Sequence, residues 1–343
     1  MTKVLITGAG APGAAGIMHC LQRSRRIEVW GCDANRDASG RHLLKNFFTV
    51  PHAADDAFVP ALLRKAAAHK IDVILPLVTK ELLPLARAKT QFAGKGIRVI
   101  CSEERALEIA NNKSLLYRFL QSRNITVPAF RIVNNLAEFE HAVKELGYPL
   151  RRVTFKPAVS NGSRGFRIID DNIEKSHLLW NEKPNHTFIS YAEITQLLRE
   201  YCPPDLLVSE YLPGEEYSVD CLAQHGKCLL AIPRKRTKIL NGISTGGEFV
   251  LQREIIRYCH QIIEAIGLHG NIGIQVKRAN DGRFKILEIN PRVQGTIVTN
   301  LAAGANLPLL AVQQELGKPV RPEKLKIRWG LKFVRVWKEI YYE

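Results

Sequence analysis

The sequence predicts an α/β protein that opens with a parallel, doubly wound sheet and continues as α+β. Three observations predict it. Short apolar runs at residues 3–7, 27–32, 73–76 and 99–101 alternate with helical segments, the order of βα units on a parallel sheet. The first run leads into a glycine-rich turn, Gly8-x-Gly10-x-x-Gly13, and then into a helix over 14–23. Beyond about residue 110, β-rich runs come in hairpin-like pairs, at 153–169 and at 271–289, the second with Gly282 after Asp281 at its turn.

The elements follow in order. The run 27–32 ends at Asp33, an acid about 20 positions after the glycines, as in a ribose-binding dinucleotide site. Two readings stay open for this Rossmann-like start. Either it binds NAD(P), or its glycines only permit a tight turn and close helix–sheet packing. Helices are expected over 58–70 and 81–92. Asn112-Lys113-Ser114 opens another, through 121, and a helix over 136–146 stops at Gly147 before Pro149. The hairpin 153–169 has a small-residue loop at 160–165 that can lie against phosphates and donate backbone N–H groups. Lys156 stands on the strand leading in. The loop is not a Walker A motif, because no GK[ST] follows.

A helix over 194–201 ends at Pro203-Pro204, and strands are expected at 206–211, 215–221 and 227–232. The basic cluster Arg234, Lys235, Arg236 and Lys238 reads as a solvated loop or one facing phosphates. Residues 242–247 read as a second flexible polar loop. An amphipathic helix over 253–266 ends at Gly267. Further helices are expected at 298–303 and 309–316, and a last strand at 331–337.

Composition narrows the function classes. The 343 residues suffice for two domains, and a hydrophobic content of 46% suffices for a sizeable core. No apolar run approaches the roughly 20 residues that span a bilayer. The opening MTKVLITGAG reads as a strand rather than a signal peptide, since its short apolar run enters the glycine turn directly. Seven cysteines are scattered without a CxxC pair, so reduced thiols in a cytoplasmic protein are expected. The net charge of +16 suits nucleic acid, an anionic membrane face or polyanionic substrates. No interleaving of aromatic and basic residues marks an RNA-binding surface, so nucleic acid is set aside.

The chemistry concentrates in residues 284–296, FKILEINPRVQGT. Glu288 and Asn290 are i and i+2 on an extended chain, so they point the same way, about 6–7 Å apart along the strand. Two hard oxygen donors so placed suit Mg²⁺. Pro291 ends the strand, and Arg292 can reach an anion held by the metal. If the strands 271–276 and 283–289 pair, Gln275 approaches Glu288.

Three segments together, FKPAVSNGSRG, SEYLPGEEYSVD and LEINPRVQGT, resemble the ATP-grasp superfamily, most of all its carbamoyl-phosphate-synthase large-subunit-like branch. The resemblance implies a Rossmann-like pre-ATP-grasp domain over 1–110 and a two-lobed ATP-grasp domain over 111–343. The lobes would lie near 125–212 and 213–343. It implies ATP and Mg²⁺ as cofactors, with Mn²⁺ as a substitute. Lys113 and Lys156 match phosphate-contacting lysines, and 160–165 matches the flap over the phosphates, with Ser160, Gly162, Ser163 and Gly165 as contacts. Glu210, Tyr211 and Leu212 match the adenine hinge, Glu216 the ribose acid, and Arg131 an adenine-side arginine. Gln275, Glu288 and Asn290 match the Mg²⁺ ligands, and Arg292 the arginine near the transferred phosphoryl group. Arg292, Lys156 and Asn290 are the catalytic candidates.

Two departures from the pattern stand out. Glu288 is the one carboxylate in the metal set, and Ser244 stands where the synthases carry a His. The implied activity is an ADP-forming carboxylate–amine ligase working through an acyl phosphate on small-molecule, anionic substrates, with a homodimer open. The alternatives are carbamoyl-phosphate-synthase-like phosphorylation of bicarbonate or carbamate, an NAD(P)-dependent oxidoreductase, and a non-catalytic ATP-binding protein.

Overall fold

The computed structural model describes residues 1–160, 164–181, 187–240 and 242–342. They form two compact units, one of residues 1–111, 216–276 and 287–343, the other of residues 112–215 and 277–286.

The first unit opens with β1 (Thr2–Thr7), α1 (Ala14–Gln22), β2 (Ile27–Asp33), α2 (Ser39–Leu43), β3 (Asn46–Thr49), α3 (Phe58–Ala68), β4 (Val73–Pro76), α4 (Thr79–Arg87), α5 (Lys89–Ala93), β5 (Arg98–Val99) and α6 (Glu104–Asn111). The five strands make one sheet in the order β3-β2-β1-β4-β5, with every pairing parallel. Val4, Leu5 and Ile6 are fully buried, as a continuous apolar strand between two helical layers must be. The helix expected over 81–92 is two helices. Ala88 leaves helical geometry at ψ 2° and separates α4 from α5.

The glycine turn has a packing role. Gly8 sits at φ +62°, the left-handed region that favours glycine. Gly13 lies so close to Gly295 that a Cβ would overlap that residue's backbone, and a Cβ on Gly16 would overlap the Val298 side chain. Asp33 Oδ2 accepts from Gly10 N and Asp33 Oδ1 from Asn35 N, both at 2.9 Å. One carboxylate oxygen therefore serves the glycine turn and the other the segment that follows β2.

The second unit contains α7 (Lys113–Ser122), β6 (Phe130–Val133), α8 (Leu136–Glu145), β7 (Val153–Pro157), β8 (Arg167–Ile169), α9 (Lys175–Asn181), β9 (Phe188–Ile189), α10 (Tyr191–Glu200) and β10 (Leu206–Glu210). Its sheet runs β6-β10-β7-β8-β9. The β7–β8 pair is the expected antiparallel hairpin, and β10 lies antiparallel to both β6 and β7. Asn112, Asn135 and Ser190 cap α7, α8 and α10 through their side-chain oxygens. Phe139, Val153, Phe155, Ile169 and Val208 form the centre of this unit's core.

The chain continues with β11 (Glu216–Gln224), β12 (Lys227–Leu240), β13 (Ile243–Phe249), α11 (Arg253–Ile266), β14 (Gly270–Arg278), β15 (Phe284–Asn290), α12 (Thr299–Ala302), α13 (Leu307–Glu315) and β16 (Lys332–Val334). These strands form a six-stranded sheet in the order β15-β14-β11-β12-β13-β16, so the strands of residues 270–278 and 284–290 are neighbours as expected. Six apolar side chains of α11, from Ile255 to Ile266, are buried, and Gly267 ends the helix at φ 80°.

Two expectations are corrected in this sheet. The basic cluster 234–238 is not a loop, because β12 runs through it and pairs Arg234 with Phe249, Lys235 with Glu248 and Arg236 with Gly247. Residues 242–247 are not a flexible loop either, since β13 covers most of them. A long strand in mid-sheet satisfies its backbone on both sides, which keeps it extended despite its charged side chains.

Candidate active site

In the second unit, the Asn112 side chain accepts from Ser114 N and Leu115 N at 3.0 Å and starts α7 with Lys113 as its first residue. Lys113 N donates to Ala158 O at 2.8 Å, and Lys113 Nζ to Ser160 O at 2.7 Å. The predicted lysine and the first residue of the predicted flap are thus joined. Lys156 lies on β7, its Nζ 3.5 Å from Tyr117 Oη and 5.5 Å from the centroid of that ring. Tyr117 Oη donates in turn to Ile286 O at 2.8 Å. Neither lysine is a solvated surface residue, for Lys113 is 5% exposed and Lys156 8%.

Gly165 closes the hairpin loop at φ +74°, where a Cβ would overlap the Pro157 ring. Two predicted flap contacts, Gly162 and Ser163, lie outside the described residues. At the predicted hinge, Glu210 Oε1 accepts from Ala129 N at 2.8 Å and from Lys285 Nζ at 2.6 Å. Tyr211 has Lys277 Nζ 5.3 Å and Arg152 Cζ 5.8 Å from its ring centroid, and Leu212 is buried. Gly214 N donates to Arg278 O at 3.0 Å, so the turn after the hinge is tied down. Arg131 bonds Glu145 through Nε and Nη2, and Phe130 O through Nη1, rather than another predicted site residue. That pair holds the Glu145 carboxyl below its usual pKa, chiefly through the hydrogen bonds from Arg131.

In the first unit, β15 places Glu288 and Asn290 side by side, with Asn290 Nδ2 donating to Glu288 Oε1 at 3.3 Å. The backbone turns at Pro291, and Arg292 folds back over the same place. Its Nη2 reaches Asn290 Oδ1 at 3.4 Å, Nε donates to Thr79 Oγ1 at 3.1 Å and Nη1 to Val293 O at 2.9 Å. Burial lowers the pKa of this guanidinium from its usual value, and the charge of Glu288 opposes the shift. Glu216 and Gln275 both receive hydrogen bonds from Arg236 Nη1.

Arg236 belongs to this cluster, although in the sequence it stood only within the basic run 234–238 and not among the site residues. The signal was there: along an extended strand, 234 and 236 fall on one face, and both side chains are buried, at 1% and 5% exposure. Arg234 pairs with Asp220 at 2.8 Å, and its Nη2 donates to Thr296 Oγ1 at 2.7 Å. Asn300 Nδ2 donates to the same Asp220 oxygen at 2.7 Å. This buried network ties the segment after Arg292 to β11 and β12.

Among the described residues, no group of three or more His, Cys, Asp or Glu is placed to hold a metal ion. One carboxylate with an adjacent side-chain amide is a sparse oxygen set. It fits Mg²⁺, which takes few protein ligands and fills its shell with water and phosphate oxygens.

The sheets have the ATP-grasp arrangement, a parallel N-terminal sheet followed by two further sheets. Residues 202–337 match the family described as "ATP-grasp in the biosynthetic pathway with Ter operon", and residues 4–100 match the PylC-like N-terminal domain. Among curated proteins, the chain is similar to the carbamoyl phosphate synthase large chain of Clostridium acetobutylicum, at 21% identity over 66% of this chain and 20% of that one. The corresponding protein of Methanothermobacter thermautotrophicus is 23% identical over 77% of this chain and 25% of that one. The chain therefore spans about a quarter or less of the length of these relatives.

Among solved structures, an ADP complex of N5-carboxyaminoimidazole ribonucleotide synthetase superposes with a TM-score of 0.70 at 13% identity, covering 96% of this chain and 80% of that one. The L-amino acid ligase of Bacillus licheniformis gives 0.66 at 16%, covering 96% and 78%. Identities this low show the fold.

Proposed function

We propose that the chain is an ATP-dependent, ADP-forming ligase that joins a small-molecule carboxylate to an amine. The observation that carries the proposal is the end of β15, where Glu288 and Asn290 lie 3.3 Å apart and Arg292 folds over them. The match of residues 202–337 to an ATP-grasp family model supports it, as do structural neighbours named as synthetase, carboxylase and amino acid ligase. Residues 1–110 would form the pre-ATP-grasp domain and 111–343 the ATP-grasp domain.

Phosphoryl transfer depends on positioning and charge neutralisation more than on covalent help from the protein. Lys113 and Lys156 bind nucleotide phosphates, with Ser160 and Gly165 as further contacts that the family pattern implies. The backbone of Glu210, Tyr211 and Leu212 receives the adenine, and Glu216 the ribose hydroxyls. Glu288 and Asn290 would hold Mg²⁺. The ion, when bound, neutralises phosphate charge. Arg292 neutralises charge on the phosphoryl group in flight. The substrate carboxylate attacks the γ-phosphorus, ADP leaves, and an acyl phosphate forms. The amine then attacks the acyl carbon, and inorganic phosphate leaves as the amide bond closes. The basic balance of the chain, +16, favours anionic substrates.

Incubation of the protein with MgATP over a panel of carboxylates and amines tests this, with nucleotide products resolved by chromatography. ADP and phosphate are expected, with an amide product that Glu288→Gln abolishes. AMP and pyrophosphate, or full activity in Glu288→Gln, would overturn the proposal.

A further inference from the structure

We propose that this chain holds a single divalent cation with its nucleotide, at Glu288 and Asn290, and that the Arg236 guanidinium keeps the amide oxygen of Gln275 from ligating a second. The inference rests on the ligase proposal and departs from the three-ligand set implied by the family pattern.

The reasoning starts from what Arg236 touches. Its Nε donates to Ser244 Oγ at 2.9 Å and its Nη2 to Gly242 O at 2.6 Å. Its Nη1 donates to the Glu216 carboxylate and, at 3.5 Å, to Gln275 Oε1. The head is therefore held from three sides, and its side chain is only 5% exposed. The amide oxygen is the sole hard ligand that Gln275 can offer a cation. Here it faces the N–H of a fixed positive charge.

A cation held by that oxygen at about 2.1 Å would lie within ~5.6 Å of Arg236 Nη1. Arginine cannot relieve such repulsion by losing its proton, as a lysine can. The Glu216 carboxylate is engaged by this guanidinium and so is not offered to a cation beside Gln275. The other subsite differs in sign. Arg292 also reaches Asn290 Oδ1, at 3.4 Å, but Asn290 adjoins the Glu288 carboxylate, so a cation there gains an anionic ligand. The departure at residue 244 fits the same account. Serine, where the synthases carry histidine, supplies the hydroxyl that seats Arg236 Nε.

Mn²⁺ serves as the probe. Protein in excess over a non-hydrolysable ATP analogue is titrated with Mn²⁺, and bound metal is counted by electron paramagnetic resonance. One Mn²⁺ per bound nucleotide, without Mn–Mn dipolar coupling, is expected. Two coupled Mn²⁺ ions would overturn the inference and leave the ligase proposal standing. Failure of the analogue to bind, read independently by calorimetry, would overturn the ligase proposal and this inference with it. In Arg236→Gln the count is expected to rise from one to two, and a count that stays at one would refute the role given to Arg236. The wild-type count decides the main claim whatever the folding of the variant.

Discussion

Glu81 tests how the first unit accommodates a buried acid. Its carboxyl is 7% exposed in the first turn of α4, and Thr7 Oγ1 lies 2.5 Å from its Oε2. Burial pushes its pKa from 4.5 up to about 7, with Asp33 adding in the same direction and hydrogen bonds from Thr7 and Val78 opposing. The folded state thus keeps a proton that the unfolded chain gives up between pH 4.5 and about 7. Where the folded state binds more protons, stability falls as pH rises. The loss begins near the lower value and is complete above the upper one. One pKa unit is worth about 1.4 kcal/mol, so the whole window costs about 3 kcal/mol. Glu81→Gln keeps the shape and removes the titration. Urea unfolding followed by tryptophan fluorescence at about pH 5 and about pH 8 measures the difference. Because part of the loss has already occurred at about pH 5, the variant should gain about 2.5 kcal/mol on the wild type between the two conditions. Equal pH dependence in both proteins would refute the reasoning.

Two further outcomes follow from the clusters. Asp220→Ala leaves the Arg234 guanidinium, 1% exposed, without its 2.8 Å carboxylate partner, and should cost about 3–5 kcal/mol in chemical denaturation. A loss below about 1 kcal/mol would contradict the network's role. Lys156→Met keeps the aliphatic stem and removes the charge, so ADP affinity by calorimetry should fall about 10- to 100-fold. Unchanged affinity would remove Lys156 from the phosphate site.

The parallel sheet was legible because β1, β2 and β4 are apolar runs with helices between them. Helix α11 was legible to the residue, since its apolar spacing and Gly267 mark both face and end. Strand β3 left no mark, for Asn46–Thr49 is four half-buried residues without alternation. The end of β15 was legible because Pro291 and the i, i+2 spacing settle where Glu288 and Asn290 point. Arg236 was not, because a run of four cations within five residues looks like a solvated loop. Only its neighbours in the sheet, β11 and β13, make it a buried strand. The glycine turn admitted two functions in sequence, and its partner Gly295, 282 positions away, could be found only in three dimensions.

The central claim is that ATP activates a carboxylate by phosphorylating it. Substrate carboxylate labelled with ¹⁸O tests it directly, with the released phosphate read by mass spectrometry. One labelled oxygen should pass from the acid to inorganic phosphate with each amide bond formed. Unlabelled phosphate beside labelled amide product, or label appearing in AMP, would contradict the account.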